Sequence, residues 1–103
     1  QLALMGAEPV RERVVEDGNI ITGAGVTAGI DFALTLIARL NGEQAAKAIQ
    51  LGIEYDPDPP FNGGSIETAD PEMVALQTER GADLATRRRE AATRIGRERL
   101  GLE

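Results

Sequence analysis

"NIITGAGVTAGID", Asn19 to Asp31, passes from β-branched residues through three glycines into an apolar segment. Strand, glycine loop and helix in that order is how many phosphate-binding loops read, because backbone N–H groups and the helix dipole converge where the helix begins. Gly23, Gly25 and Gly29 give the spacing G-x-G-x-x-x-G. The third glycine stands one position late for the dinucleotide fingerprint, and the segment after it is helix, not a second parallel strand ending in a ribose-binding acid. No Lys-Ser/Thr pair comes after the glycines, so the other common phosphate loop is not formed either. Close backbone packing is therefore the favoured reading: a tight passage from a strand into an interior helix.

The segments on either side fit that passage. Upstream, alternation in "VRERVV" and the turn signal Asp17-Gly18 predict two antiparallel strands, roughly Val10 to Val15 and Asn19 to Thr22. "QLALMG" reads as the last turn or two of a helix, with Gly6 as a left-handed cap. Downstream, Ile30, Phe32, Ala33, Leu34, Leu36, Ile37, Ala38 and Leu40 are apolar around most of a helix, which predicts burial. Asn41-Gly42 stops it. A second helix comes next, with Ala45, Ala48, Ile49 and Ile53 on one side and Lys47 and Gln50 toward solvent. "DPDPPFNGGS", Asp56 to Ser65, excludes a regular helix and predicts an ordered arm or linker. Asp70-Pro71-Glu72 opens a final helix with a polar cap, an early proline and early acidic charge. Met73, Leu76, Leu84 and Ile95 suit one buried stripe, interrupted by Gly81 and Gly96. No internal repeat is present.

At 103 residues and 11.0 kDa the chain suits one small domain or part of one. Hydrophobic residues at 42% and charged residues at 27% fit a soluble globular protein, and no apolar run is long enough to span a bilayer. Gln1 opens without methionine or any signal-like segment, as expected of a cut or processed end. A net charge of −6 argues against nucleic acid as a partner. Without cysteine there is no thiolate nucleophile, disulfide or Cys-based zinc site, and without histidine no Ser/His/Asp triad or imidazole-ligated metal. A two-stranded hairpin is marginal alone, and an all-round apolar helix needs covering on more than one side. Such a chain either pairs with another that supplies more sheet or is the C-terminal part of a larger domain.

Few side chains advertise chemistry. Asp31, the one acid in the apolar helix, is expected as a capping acid of the first turn with Thr27 or Thr35 at helical spacing; a role in a site is the alternative. Glu54, Asp56 and Asp58 lack the spacing of a calcium loop and read as solvated loop charges. Arg87, Arg88, Arg89 and Arg94 read as a solvated face paired with Glu90 and Glu98, with an anion patch as the alternative. Phe61 is expected to anchor the proline arm in an apolar pocket.

The stretch from Glu12 to Ala69 closely resembles the C-terminal half of ThiJ/PfpI-superfamily proteins, specifically isonitrile hydratases. Its general part is the D-G-N hairpin, the T-G-x-G loop and the A-G-I-D-F-A-L helix. Its more discriminating part is "QLGIEYDPDPPFNGGS", Gln50 to Ser65, which favours the isonitrile hydratase branch over the transcription-regulator branch. Ile66 departs from the proline expected after "GGS".

The resemblance implies an α/β fold: the C-terminal part of a flavodoxin-like, class I glutamine amidotransferase-like sandwich, a β-hairpin followed by mostly helices. It divides the chain into residues 1–70, the C-terminal half of the α/β domain, and residues 71–103, its helical extension. It also implies a lyase that turns an isonitrile and water into an N-substituted formamide through a cysteine on a sharp strand-to-helix turn. That cysteine and its acidic partner would lie in an N-terminal half outside this chain. No catalytic residue, metal or cofactor is then expected here. Gly25, Thr27 and Asp31 are the candidates for a pocket wall. The implied partners are the N-terminal half carrying the cysteine, if it is a separate chain, a second copy in a homodimer of the complete domain, and a small-molecule isonitrile; neither nucleic acid nor a membrane is expected, and the compartment is the cytoplasm. A noncatalytic ThiJ/PfpI-type interaction or sensor module is the alternative.

Overall fold

The computed structural model describes residues 1–102; Glu103, the end of the expected helical extension, lies outside them. The chain divides into two units, one formed by Val10–Asp58 and the other by Gln1–Pro9 with the chain from Pro59 onward.

In the Val10–Asp58 unit, strand β1 (Val14–Asp17) pairs antiparallel with β2 (Ile20–Gly23). Asp17 and Ile20 are partners, so Gly18-Asn19 form a two-residue turn. Gly18 has φ 59° and Asn19 is not left-handed, which is the type II′ pattern with glycine at the first central position. The expected first strand was to begin at Val10 and instead begins at Val14. The reason lies in the register: Val14 faces Gly23, the last residue of β2, so nothing remains opposite Val10 to Glu12.

Helix α1 (Ala28–Asn41) and helix α2 (Glu43–Gly52) are joined through Gly42, whose φ of 93° is in the range that side chains resist and glycine accepts. Its N–H closes onto the Ala38 carbonyl at 3.0 Å. The burial expected of α1 is met on one side only. Ala28 is buried and Phe32, Leu34, Ile37 and Ala38 are half-buried, but Ile30 and Leu36 are exposed and Leu40 is 73% exposed. On α2 the covered side carries Ala46 and Ala45, where α1 packs, and the expected Ala48 and Ile49 face outward.

In the other unit, a 3-10 turn (Ala3–Met5) ends at Gly6, left-handed at φ 82° as expected. The Gly6 N–H donates to the Ala3 carbonyl and the Ala7 N–H to the Leu2 carbonyl, both at 3.1 Å, which is the Schellman closure. Helix α3 (Pro71–Leu100) starts as read: the Asp70 carboxylate accepts the Glu72 N–H at 2.9 Å, Pro71 occupies the first turn, and Arg97 and Arg99 face the C-terminal end of the dipole. The expected stripe is not buried, since Met73, Leu76 and Leu84 are exposed and Ile95 alone is half-covered. The covered positions are Ala92 and Gly96, where the 3-10 turn packs. A β-carbon at Gly96 would overlap the Leu4 carbonyl oxygen, so this glycine admits a backbone contact. Phe61, expected in an apolar pocket, is 83% exposed.

Among the described residues the buried apolar side chains are Ala28, Ala46 and Ala92, and no large side chain is fully buried. Three alanines contribute little of the apolar burial that stabilises a domain. The uncovered circumference of α1 is therefore surface that a further layer would cover.

Candidate functional site

The cluster in the Val10–Asp58 unit grows from the hairpin register. With Val14 opposite Gly23, the ladder runs one step further, and the Arg13 carbonyl accepts the Ala24 N–H at 2.9 Å. The Arg13 side chain then turns over the loop between β2 and α1. Its Nη2 donates to the Thr27 carbonyl at 3.0 Å and its Nε to Asp31 Oδ2. One residue thus holds both ends of the Ala24–Thr27 segment, its backbone at one end and its guanidinium at the other.

Tyr55 reaches the same carboxylate from the far end of α2. Its hydroxyl donates to Asp31 Oδ1 at 2.5 Å. Another Schellman closure aims it there. The Tyr55 N–H donates to the Gln50 carbonyl at 3.0 Å and the Glu54 N–H to the Leu51 carbonyl at 3.1 Å, with Glu54 left-handed at φ 53°. The Gln50 side-chain amide also donates to the Tyr55 carbonyl at 3.1 Å. A glutamate in this conformation is strained relative to glycine, and the surrounding bonds hold it there.

Asp31 thus has each carboxylate oxygen bonded. The Tyr55 hydroxyl first, then the Arg13 guanidinium, hold its carboxyl below the usual range. The same bond raises the Tyr55 phenol, whose proton the carboxylate retains, and partial burial adds to the shift. At neutral pH the cluster is a carboxylate between a cation and a protonated phenol. Neither group is poised to exchange a proton, so its chemistry is positional.

A second ion pair ties the sheet to α1. Arg39 grips Glu16 with Nε to Oε1 at 2.6 Å and Nη2 to Oε2 at 3.0 Å, and holds the Glu16 carboxyl below its usual range.

Gly25 lies exposed in the turn before α1; its carbonyl accepts the Ala28 N–H at 2.9 Å. Thr27, exposed at the N-cap position, makes no side-chain cap, and its carbonyl serves Arg13. Asp31 was expected as a first-turn cap. It bonds Arg13 and Tyr55 instead, while the Thr35 hydroxyl donates to the Asp31 backbone carbonyl at 2.8 Å. The close packing expected of the three glycines holds for Gly23 alone, where a β-carbon would meet Phe32 and the Ala28 carbonyl at 3.6 and 3.8 Å. Gly25 and Gly29 have open space around them and no left-handed backbone. As for an anion, the Ala24, Ala28 and Gly29 N–H groups already bond carbonyls of Arg13, Gly25 and Val26.

Sequence reading missed Arg13, Tyr55, Arg39 and Glu16. The usable signal was pairing by elimination: a lone acid in an apolar helix needs a partner, and the one tyrosine lies just beyond the end of the next helix. On α3, Arg87 pairs with Asp83 at 2.9 Å and Arg94 with Glu98 at 3.7 Å, both one turn apart. The arginine face was expected to pair with Glu90 and Glu98, and Glu98 is the half of that expectation met.

The hairpin followed by packed helices superposes on a larger α/β protein, which makes it part of an α/β, flavodoxin-like domain. No family model matches the chain. The isonitrile hydratase of Pseudomonas putida is 52% identical over 81 residues, which is 79% of this chain and 36% of that protein. A crystal structure of a ThiJ/PfpI family protein from Pseudomonas syringae superposes with a TM-score of 0.81 at 45% identity, covering 92% of this chain and 38% of that one. In sequence and in fold the chain is similar to a C-terminal fragment of a ThiJ/PfpI-type protein. It spans little more than a third of the length of either relative. Among the described residues no helix is long and apolar enough to cross a membrane.

Proposed function

We propose that this chain forms part of an isonitrile-hydratase-like enzyme whose cysteine nucleophile lies outside these residues. The observation that carries the reading is the 52% identity to an isonitrile hydratase. Two features of the chain support it. Asp31 is held as a carboxylate by Arg13 and Tyr55, and the sequence supplies neither cysteine nor histidine. The open circumference of α1 also suits a helix laid against a sheet.

In the proposed reaction a thiolate attacks the terminal carbon of the isonitrile, forming a C–S bond while that carbon takes a proton, which gives a thioimidate. Water then adds to the same carbon as the nitrogen takes a proton, the C–S bond breaks, and the N-substituted formamide leaves with the thiolate restored. A thiolate suits this electrophilic carbon better than a hydroxyl at neutral pH. The residues described here contribute scaffold, and Gly25, Thr27 and Asp31 contribute pocket wall. The complete domain is proposed to act as a cytoplasmic homodimer, with the cysteine-bearing N-terminal half as the required partner.

Intact mass spectrometry combined with an infrared assay for loss of the isonitrile stretch tests this. A cysteine-containing polypeptide required for activity is the expected result. Full activity in a sample holding only the 11.0 kDa species would overturn the mechanism. Serine or alanine at the nucleophile position, with no isonitrile hydrated, would favour the noncatalytic interaction or sensor module.

A further inference from the structure

Asn41 and Asn62 each precede a glycine, Gly42 and Gly63. Such a pair carries chemistry of its own: the glycine nitrogen can attack the asparagine Cγ, because no side chain on the glycine obstructs the approach. The fold treats the two pairs differently. Asn41 is the last residue of α1; the Gly42 N–H donates to the Ala38 carbonyl at 3.0 Å, and the Gly42 carbonyl accepts the Ala46 N–H at 3.3 Å. That nitrogen is held inside a helix junction and cannot turn toward the Asn41 side chain unless the junction opens. Around Asn62 nothing comparable holds the chain. Among the described residues, no backbone group of residues 56–64 bonds another backbone group. Pro57, Pro59 and Pro60 have no N–H to bond, and Gly63 and Gly64 restrain the chain least. Both asparagines are exposed, so access to water does not separate them; the bonding of the next nitrogen does.

We infer that Asn62 is a site of deamidation and that Asn41, with the same following residue, is protected by the junction of α1 and α2. The Gly63 nitrogen loses its proton and bonds Asn62 Cγ, the Cγ–Nδ2 bond breaks, and the leaving nitrogen takes up a proton and departs as ammonia. A succinimide remains, which water opens. Cleavage at Cγ yields aspartate with the main chain unchanged; cleavage at the main-chain carbonyl yields isoaspartate, whose main chain is one methylene longer. Either product adds negative charge to a chain already at −6, and the second lengthens the chain close to where the unit ending at Asp58 gives way to the one resuming at Pro59.

The experiment uses the protein as isolated, with every polypeptide it carries, held in mildly alkaline buffer. Samples taken over time are peptide-mapped by mass spectrometry, and isoaspartate is read by enzymatic methyl transfer. A parallel sample is held in urea. In the folded protein Asn62 is expected to convert about tenfold faster than Asn41, the factor set by one backbone hydrogen bond that must open first at Gly42. In urea the two rates are expected to converge, because each asparagine then has an unbonded nitrogen beside it. Gly63→Ala fits the fold, since a β-carbon there stands 3.8 Å from Ala69 Cα, and is expected to slow Asn62 while leaving Asn41 unchanged. Equal rates in the folded protein, a faster Asn41 or an unreactive Asn62 would overturn the inference. A lead for Asn62 that persisted undiminished in urea would overturn it too, since its cause would then lie in the flanking residues and not in the fold.

Discussion

The Tyr55 hydroxyl donates to Asp31 Oδ1 at 2.5 Å and so joins the end of α2 to the first turn of α1, two helices that are otherwise linked through Gly42 and packed together at Ala45 and Ala46. Because Arg13 takes the other oxygen, the carboxylate ties the hairpin and both helices together.

Asp31→Asn is expected to destabilise the protein by about 1 kcal/mol at neutral pH, the net worth of a partly exposed charge-assisted pair. The Asp31 carboxyl lies below its ordinary value of 3.8 in the fold, so its contribution is complete above that value and disappears as pH falls through the lower one. Urea midpoints of parent and variant should therefore stay apart from neutrality down to about pH 5 and converge below it. A gap that widened on acidification would contradict the assigned ion pair.

Glu54 sits left-handed at φ 53° and closes the end of α2. Glu54→Gly relieves that backbone and is expected to raise stability by about 0.5 kcal/mol, the strain relieved less the extra freedom of glycine in the unfolded chain. Glu54→Val, β-branched in the same conformation, is expected to lower it by about 1 kcal/mol or more. Thermal melts of the two variants should bracket the parent.

The two glycines inside α3 should respond oppositely to the same substitution. Gly81→Ala meets open space and is expected to stabilise by roughly 0.5–1 kcal/mol through helix propensity. Gly96→Ala drives a methyl group into the Leu4 carbonyl and is expected to cost about 1–3 kcal/mol, or to release the 3-10 turn. Hydrogen exchange at the Gly6 and Ala7 amides distinguishes release from global loss.

Asp70→Ala removes the acceptor of the Glu72 N–H and should cost about 1 kcal/mol, with fraying confined to the first turn of α3. Asp70→Ser should restore most of it, as read by amide exchange near Glu72.

Where a local rule suffices, the sequence was enough. Gly6, Gly42 and Asp70-Pro71 mark their helix ends because left-handed geometry, a missing N–H and a short carboxylate act within a few residues. The hairpin was legible for the same reason, though the start of β1 was not, since it depends on where β2 runs out. Burial was the least legible property. Met73, Leu76 and Leu84 share a stripe by periodicity, yet periodicity says what can be covered and not whether this chain covers it. Asp31 was expected to cap its helix with Thr27 or Thr35 beside it and was partnered wrongly, because Arg13 and Tyr55 lie 18 and 24 residues away and meet it only through the hairpin register and the turn at Glu54. Gly96, read as a helix weakness, is a point of approach for a backbone that local propensity does not record.

The hold that Arg13 has on both ends of the Ala24–Thr27 loop carries an evolutionary corollary. Shape is maintained by a residue outside the loop, so drift at Gly25 and Val26 proceeds without refolding, and a saturation library at those two positions should return mostly folded variants. Exchange of Arg13, by contrast, demands compensating change at Asp31 and Tyr55 together.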